Sequence, residues 1–300
     1  MKKGRTILSV ILTAVAIVCL IAAAVIMVTR YLEERNMQQT LESLRPTLES
    51  IPDASTQSSS ESTAPQAPDT NGNSSEASPP AELPSVEAQE PEPERIANPY
   101  ADSYLANADM AAWLVVPGTV IDYPVMWTPR DENFYLRKDF YGNKNTAGCL
   151  ILDTDSCVDP LTTNLIIHGH NMKAGTMFAA LKNYEKEAFW ADHKEVILYT
   201  PQCQRNYEVI AVFRSQVYRK SDEVFKFYKF FQADTEEEFL DFYDNIKELA
   251  MYDTGVTAQF GDHFITLSTC SYHVENGRLV VVAKEVEPGD YYLPLTETGE

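Results

Sequence analysis

Positive charge is scarce in this chain. Its 300 residues carry 24 Lys and Arg against 44 Asp and Glu, a formal charge of −20. Binding a phosphate backbone needs clustered basic side chains, so the balance argues against a nucleic-acid partner. Much of the excess acid lies in one polar segment, where it serves solubility and says little about a substrate pocket. Cysteine is scarce as well. Cys19 sits in an apolar run, which leaves Cys149, Cys157, Cys203 and Cys270, too few for a small disulfide-stapled domain. If Cys270 is a working thiol, at most one bridge can form among the other three. Cys149 and Cys157 are the nearer pair, but spacing alone does not establish a bond.

Only one stretch is apolar and long. Ile7 to Val28 carries no charged residue, and about 22 residues at about 1.5 Å each cover a hydrocarbon core of roughly 30 Å. Lys2, Lys3 and Arg5 precede it, while Glu33 and Glu34 follow soon after Arg30. The positive-inside rule then places the N-terminus in the cytoplasm and the remainder outside the cell. A cleaved signal peptide has an apolar region of about 7–15 residues and a small-residue cleavage site. This run is longer and ends Ile26-Met27-Val28. Residues 1–28 are therefore expected to be a cytoplasmic tip and a single membrane anchor, with residues 7–28 in the bilayer.

Residues 29–51 place Leu41, Leu44, Leu48 and Ile51 at helical spacing, with Pro46 as an interruption, and predict a short juxtamembrane helix. From 52 to 98 the composition narrows to Ser, Pro, Glu, Ala and Thr, with almost no aromatic or large apolar residue. Such a segment buries too little surface to offset its chain entropy and is expected to be a disordered spacer lifting a domain off the membrane. Residues 99–300 suffice for one ordinary hydrophobic core.

That domain reads as mainly β. A helical signal spans Ala101 to Ala112. Eight short apolar runs follow: Trp113–Val116, Val120–Val125, Gly148–Leu152, Leu165–Ile167, Val196–Tyr199, Tyr207–Phe213, Phe264–Leu267 and Leu279–Val282. Helices separate them too seldom for a doubly wound parallel sheet, so a closed eight-stranded β-barrel is expected. One long helix interrupts the series late. Thr235-Glu236-Glu237-Glu238 forms a capping box, and Phe239, Phe242, Tyr243, Ile246 and Leu249 form one apolar stripe expected to pack on the barrel.

Three pieces carry chemistry. Cys270 ends the run Phe264-Ile265-Thr266-Leu267-Ser268-Thr269-Cys270, among polar neighbours that argue against an inert core thiol. Arg278 opens the next strand and faces Cys270 if the two strands are antiparallel. Its guanidinium stays charged and offers several donors to a developing oxyanion. His168-Gly169-His170-Asn171-Met172 ends an earlier strand and places both imidazoles on one side of the chain. Those histidines admit three readings: a catalytic base, a metal pair completed by Asp153, Asp155, His193, His263 or His273, or structural histidines. Asn171 can orient the ring or bond substrate.

These segments resemble the sortases, cysteine transpeptidases of Gram-positive cell surfaces. The likeness runs from about Asn107 to Glu287. Trp113 to Val125 is similar to the family's opening segment, and Ala147 to Asp153 to its next strand, where serine is commoner than Cys149. Gly169-His170-Asn171-Met172 followed by Met177-Phe178 resembles the catalytic-histidine segment. Thr266 to Cys270 resembles the catalytic-cysteine signature, and Arg278 stands at the family's arginine. The late helix, the helical segment before the barrel and Ser268-Thr269-Cys270 are similar to class B. His168 departs from the pattern, which more often has tyrosine there.

The resemblance implies a sortase-type barrel with Cys270 as nucleophile, His170 as acid and base, and Arg278 as holder of substrate and oxyanion. It also implies Asn171, Ser268 and Thr269 as substrate-binding residues, with neither metal nor cofactor. The implied substrates are secreted proteins bearing a C-terminal sorting signal of Asn-Pro-x-Thr type or a related one. The acceptor is a peptidoglycan peptide amine, or a pilin lysine if the enzyme polymerises. A tethered cysteine protease or metal hydrolase of the envelope is the rival enzyme, and a non-catalytic module on a stalk is the rival binder. Leu293-Pro294-Leu295-Thr296-Glu297-Thr298-Gly299 superficially resembles a sorting signal but has no apolar tail or basic stop.

Overall fold

The structure is a computed structural model describing residues 2–46 and 95–295. Eight strands close into a barrel: β2 (Met110–Val115), β3 (Asp122–Met126), β4 (Leu150–Leu152), β5 (Asn164–Gly169), β6 (Glu195–Tyr199), β7 (Cys203–Gln216), β8 (Phe264–Cys270) and β9 (Gly277–Tyr292). They run around it in the order β9, β7, β6, β2, β3, β4, β5, β8, and β8 pairs back onto β9 to close the ring. All eight expected runs are barrel strands. A two-residue strand, β1 (Arg95–Ile96), adds in parallel to the end of β9.

Closure explains the residue pattern of the long strands. Val209 and Val212 of β7, and Leu279, Val281 and Ala283 of β9, fill the barrel interior. Ile210 and Phe213 of β7, and Val280 and Val282 of β9, belong to a second core outside it. With both faces covered, the strands are runs of buried apolar residues rather than half-polar alternations. The cover is α3 (Glu236–Leu249), whose Phe239, Phe242 and Ile246 pack on that outer face beside Phe264. Its capping box forms as expected: Glu238 N–H donates to Thr235 Oγ1 at 3.3 Å, and Thr235 N–H donates to Glu238 Oε2 at 3.1 Å. Leu249, the last residue of the expected stripe, is exposed.

One helix is shorter than its alanines suggest. α2 spans only Ala101–Ala106, and Ala111 and Ala112 already belong to β2. Asn107 adopts an extended backbone, accepts from Asp109 N–H and donates to the Phe140 carbonyl. Those bonds turn the chain into the barrel, where burial of Ala112 and Trp113 outweighs local helix propensity.

Another helix is longer than expected. α1 (Lys2–Leu44) joins the apolar run and the juxtamembrane stretch in one continuous helix. Its apolar side chains from Leu12 to Val28 are exposed, as those of a membrane-crossing helix would be in the absence of lipid. Met37, Leu41 and Leu44 are buried against the barrel, forming a stripe at four- and three-residue steps. Leu48, Ile51 and the expected spacer up to residue 94 lie outside the described residues.

Candidate active site

The barrel places three side chains in a row on its outer face. β5 and β8 are parallel and in register, ending on the pairs His168–Ser268 and Gly169–Thr269. His170 and Cys270 follow at the same level on these neighbouring strands. β8 and β9 are antiparallel, and their last pair is Cys270 with Arg278. Alternation of side chains across a strand decides which face is used. Leu267 and Leu279 point into the barrel core, so Ser268, Cys270 and Arg278 point outward. Gly169 is the inward residue between the two histidines: a Cβ there would lie 2.6 Å from Leu150 Cδ2 and from Phe178 Cδ2.

These residues line a cleft of about 440 Å³ that includes His168, His170, Ser268, Thr269, Cys270 and Arg278. Its walls come from Glu132, Asn133 and Leu136 on one side and from Val217, Phe227 and Tyr228 on the other. His170 Nε2 is 2.9 Å from the Leu136 carbonyl oxygen, an acceptor that makes this nitrogen the protonated one. Nδ1 is thereby left for proton transfer. Arg278 Nη1 donates to the carbonyls of Gly277 at 3.1 Å and Asn276 at 3.4 Å. Its other donors stay available to a ligand among the described residues.

The other expected residues occupy distinct positions. Ser268 Oγ is buried in the cleft wall with no hydrogen-bond partner among the described residues, a group a bound peptide can satisfy. Thr269 Oγ1 donates to the Gly169 carbonyl at 2.7 Å and ties β8 to β5 just before the thiol. Asn171 Nδ2 donates to the Cys270 carbonyl at 3.0 Å, bridging the segments that follow the two strands. It thus steadies the backbone of Cys270 instead of facing the cleft.

The two histidines part company. His168 Nε2 lies 3.2 Å from Asp153 Oδ2, forming an ion pair when protonated. With Glu132 these groups bring their ligating atoms within 4.8 Å of one another, while His170 turns to Leu136. The geometry therefore does not join His168 and His170 into one metal pair. Cys149, also on the cleft, is a free buried thiol whose pKa burial pushes well up. Cys157 and Cys203 are free as well.

Sequence reasoning overlooked the Leu136 carbonyl, Glu132 and the Phe227–Tyr228 wall. The first acts through its backbone, Glu132 stands in a turn, and Phe227 and Tyr228 belong to a short 3-10 helix without a recognisable sequence pattern. Only folding brings them to the cleft.

A closed eight-stranded barrel carrying a thiol, an imidazole and a guanidinium on adjacent strand ends defines a cysteine acyl-transfer enzyme. The family model described as "Sortase domain" matches residues 114–286, and the chain belongs to the sortase family. It is a class B sortase, a cysteine transpeptidase. Sortase B of Listeria monocytogenes is 31% identical over 186 residues, spanning 60% of this chain and 71% of that protein. Sortase B of Staphylococcus aureus is 26% identical over 186 residues, spanning 60% and 72%. The solved sortase B of Clostridium perfringens matches with a TM-score of 0.56 at 28% identity, covering 62% of this chain and 98% of that one. The Staphylococcus aureus sortase B–substrate complex matches with a TM-score of 0.57 at 25% identity, covering 65% and 87%.

Proposed function

We propose that this sortase is held in the membrane by residues 7–28, with its N-terminus cytoplasmic and its barrel outside the cell. There it transfers secreted proteins from a C-terminal sorting peptide of Asn-Pro-x-Thr type to a cell-wall peptide amine. The observation that carries this reading is the row His170, Cys270, Arg278 on three consecutive hydrogen-bonded strands.

The Cys270 thiolate attacks the carbonyl carbon that follows threonine, forming a C–S bond and a tetrahedral oxyanion. Arg278 donors hold that oxyanion where charge develops. As it collapses, the C–N bond breaks and protonated His170 gives its proton to the leaving amine. The thioester is then attacked by the acceptor amine while neutral His170 takes the amine's proton. The C–S bond breaks, and the thiolate and protonated His170 are restored. Ser268 supplies a hydrogen bond to the peptide, and Asn171 and Thr269 keep the Cys270 backbone in place.

The test is incubation of the full-length protein in detergent with a fluorogenic Asn-Pro-x-Thr peptide and an amine acceptor. Cleavage with a Cys270 thioester trapped by mass spectrometry, and a transfer product that needs the amine, are expected. Equal cleavage by Cys270→Ala would overturn the reading. A preference for a protein lysine over a cell-wall peptide amine would change the acceptor to a pilin.

A further inference from the structure

A second group of polar side chains lies on the cleft wall, away from the thiol. Its members Asp153 and His168 are diagonal neighbours beside the antiparallel β4–β5 ladder. Ile151 faces His168, and Asp153, two residues on, donates its N–H to the Ile166 carbonyl at 2.8 Å. Asp153 Oδ1 accepts from the Asp155 N–H at 3.1 Å, which leaves Oδ2 turned to His168 Nε2 at 3.2 Å. Glu132 comes from the turn before the short 3-10 helix Phe134–Arg137. The three side chains each place one ligating atom within 4.8 Å of the other two.

An ion pair alone does not account for this grouping. Two carboxylates this close repel, and one imidazolium balances only one of them. Among the described residues neither carboxylate pairs with Lys or Arg. A divalent cation between them would neutralise both. The spacing suits zinc, whose N and O ligands, at about 2.0–2.2 Å from a tetrahedral ion, stand roughly 3.4 Å apart. The Asp153–His168 pair is already near that separation, and the exposed Glu132 can close the remainder. Ser268 is an independent indication. A metal-bound imidazole carries its proton on the other nitrogen and almost always donates it to a nearby acceptor. Ser268 is the β8 partner of His168, is 2% exposed, and its Oγ has no hydrogen-bond partner among the described residues. With Nε2 on the metal, Nδ1–H can donate to that hydroxyl, which still keeps its own proton for the peptide.

We infer that Glu132, Asp153 and His168 form a binding site for one divalent ion of the zinc class, with water in the fourth position, that fastens the Glu132 turn to the ends of β4 and β5. The ion has a structural role. Asp153 follows β4 and Cys270 ends β8, and β5 lies between those two strands, so the metal stands on the far side of β5 from the thiol. The helix after the Glu132 turn carries Leu136, whose carbonyl lies 2.9 Å from His170 Nε2. Metal binding therefore steadies the segment that orients the His170 ring. The site itself stands apart from acyl transfer, and only this last consequence rests on the role proposed for His170.

The test is calorimetric titration of zinc into the full-length Cys270→Ala protein in detergent, a background in which the nucleophilic thiol cannot take the metal. One zinc per chain is expected, bound about tenfold or more tighter than calcium or magnesium, which favour all-oxygen sites. His168→Ala and Glu132→Gln, each added to that background, should weaken zinc by about tenfold or more. No zinc binding, or an affinity that neither substitution changes, would overturn the site. Calcium or magnesium held as tightly as zinc would overturn the assigned metal class. Glu132 is exposed on its turn, so its variant decides the matter even if His168→Ala does not fold. Hydrogen exchange on the same protein reads the fastening. The Leu136 and Lys138 amides, which bond within this segment, should exchange several-fold more slowly with zinc bound. Unchanged exchange would overturn the fastening. Failure of wild type to cleave the sorting peptide would overturn the acyl-transfer reading alone and leave zinc binding intact.

Discussion

Cys270 and Arg278 are direct partners across the β8–β9 ladder, the last pair before the strands part. The loop between them turns tightly. Ser271 N–H donates to the Gly277 carbonyl at 2.9 Å, and Gly277 leaves room for the Ser271 carbonyl where a Cβ would clash. The thiol and the cation are therefore set by sheet register rather than by side-chain flexibility, and the same holds for Cys270 against the end of β5.

Arg278→Ala should lower kcat by about 10²–10³-fold, the usual effect of losing one oxyanion donor. Arg278→Lys keeps the charge but not the planar fork, so it should fall between the two. Steady-state kinetics on the sorting peptide checks both, with thermal unfolding expected to stay near wild type because Arg278 lies at the open end of the ladder.

His170→Ala should cost about 10²–10⁴-fold in kcat, as expected for loss of a general acid–base group. His168→Ala should stay close to wild type, since that ring is paired with Asp153. The two variants assayed side by side identify the base. A larger loss in His168→Ala would assign it the other way.

Gly169→Ala should inactivate the enzyme without touching a reacting atom. The new methyl meets Leu150 and Phe178 in the barrel core, and overpacking of this kind costs about 1–3 kcal/mol. The displaced strand end carries His170 with it. Urea unfolding reads the stability loss, and peptide cleavage is expected to fall more than the loss of folded protein explains.

Stability should fall at alkaline pH. Burial raises Tyr104 and Tyr207 well above the ordinary value of 10.0. Above about pH 10 the unfolded chain releases these protons while the folded chain retains them, so each group weakens folding by about 1.4 kcal/mol per pH unit. Below that pH their contribution is complete. Tyr207→Phe should flatten the decline. It should also stabilise the protein by about 1 kcal/mol at pH 7, because the buried Tyr207 hydroxyl has no partner among the described residues and orphaned polar groups are costly. Urea midpoints from pH 7 to pH 11 check both effects.

Local sequence determined a good deal on its own. Each barrel strand is visible as an apolar run because burial on one or both faces leaves that mark. α3 is visible because Thr235 and Glu238 cap it and Phe239, Phe242 and Ile246 recur on one face. Cys270, Arg278 and His170 stood out because each sits where an apolar run meets polar residues. Tertiary structure decided the rest. The in-register parallel pairing of β5 with β8, about a hundred residues apart, put His170 level with Cys270. It also joined His168 to Asp153 and brought the Leu136 carbonyl to the His170 ring. It drew Ala111 and Ala112 out of a helix and into a strand, and it laid Met37, Leu41 and Leu44 of the anchor helix against the barrel. The physical reason is common to all of these. Propensity and periodicity report how a residue meets its own element, whereas register, ring closure and docking depend on which distant surface is buried with it.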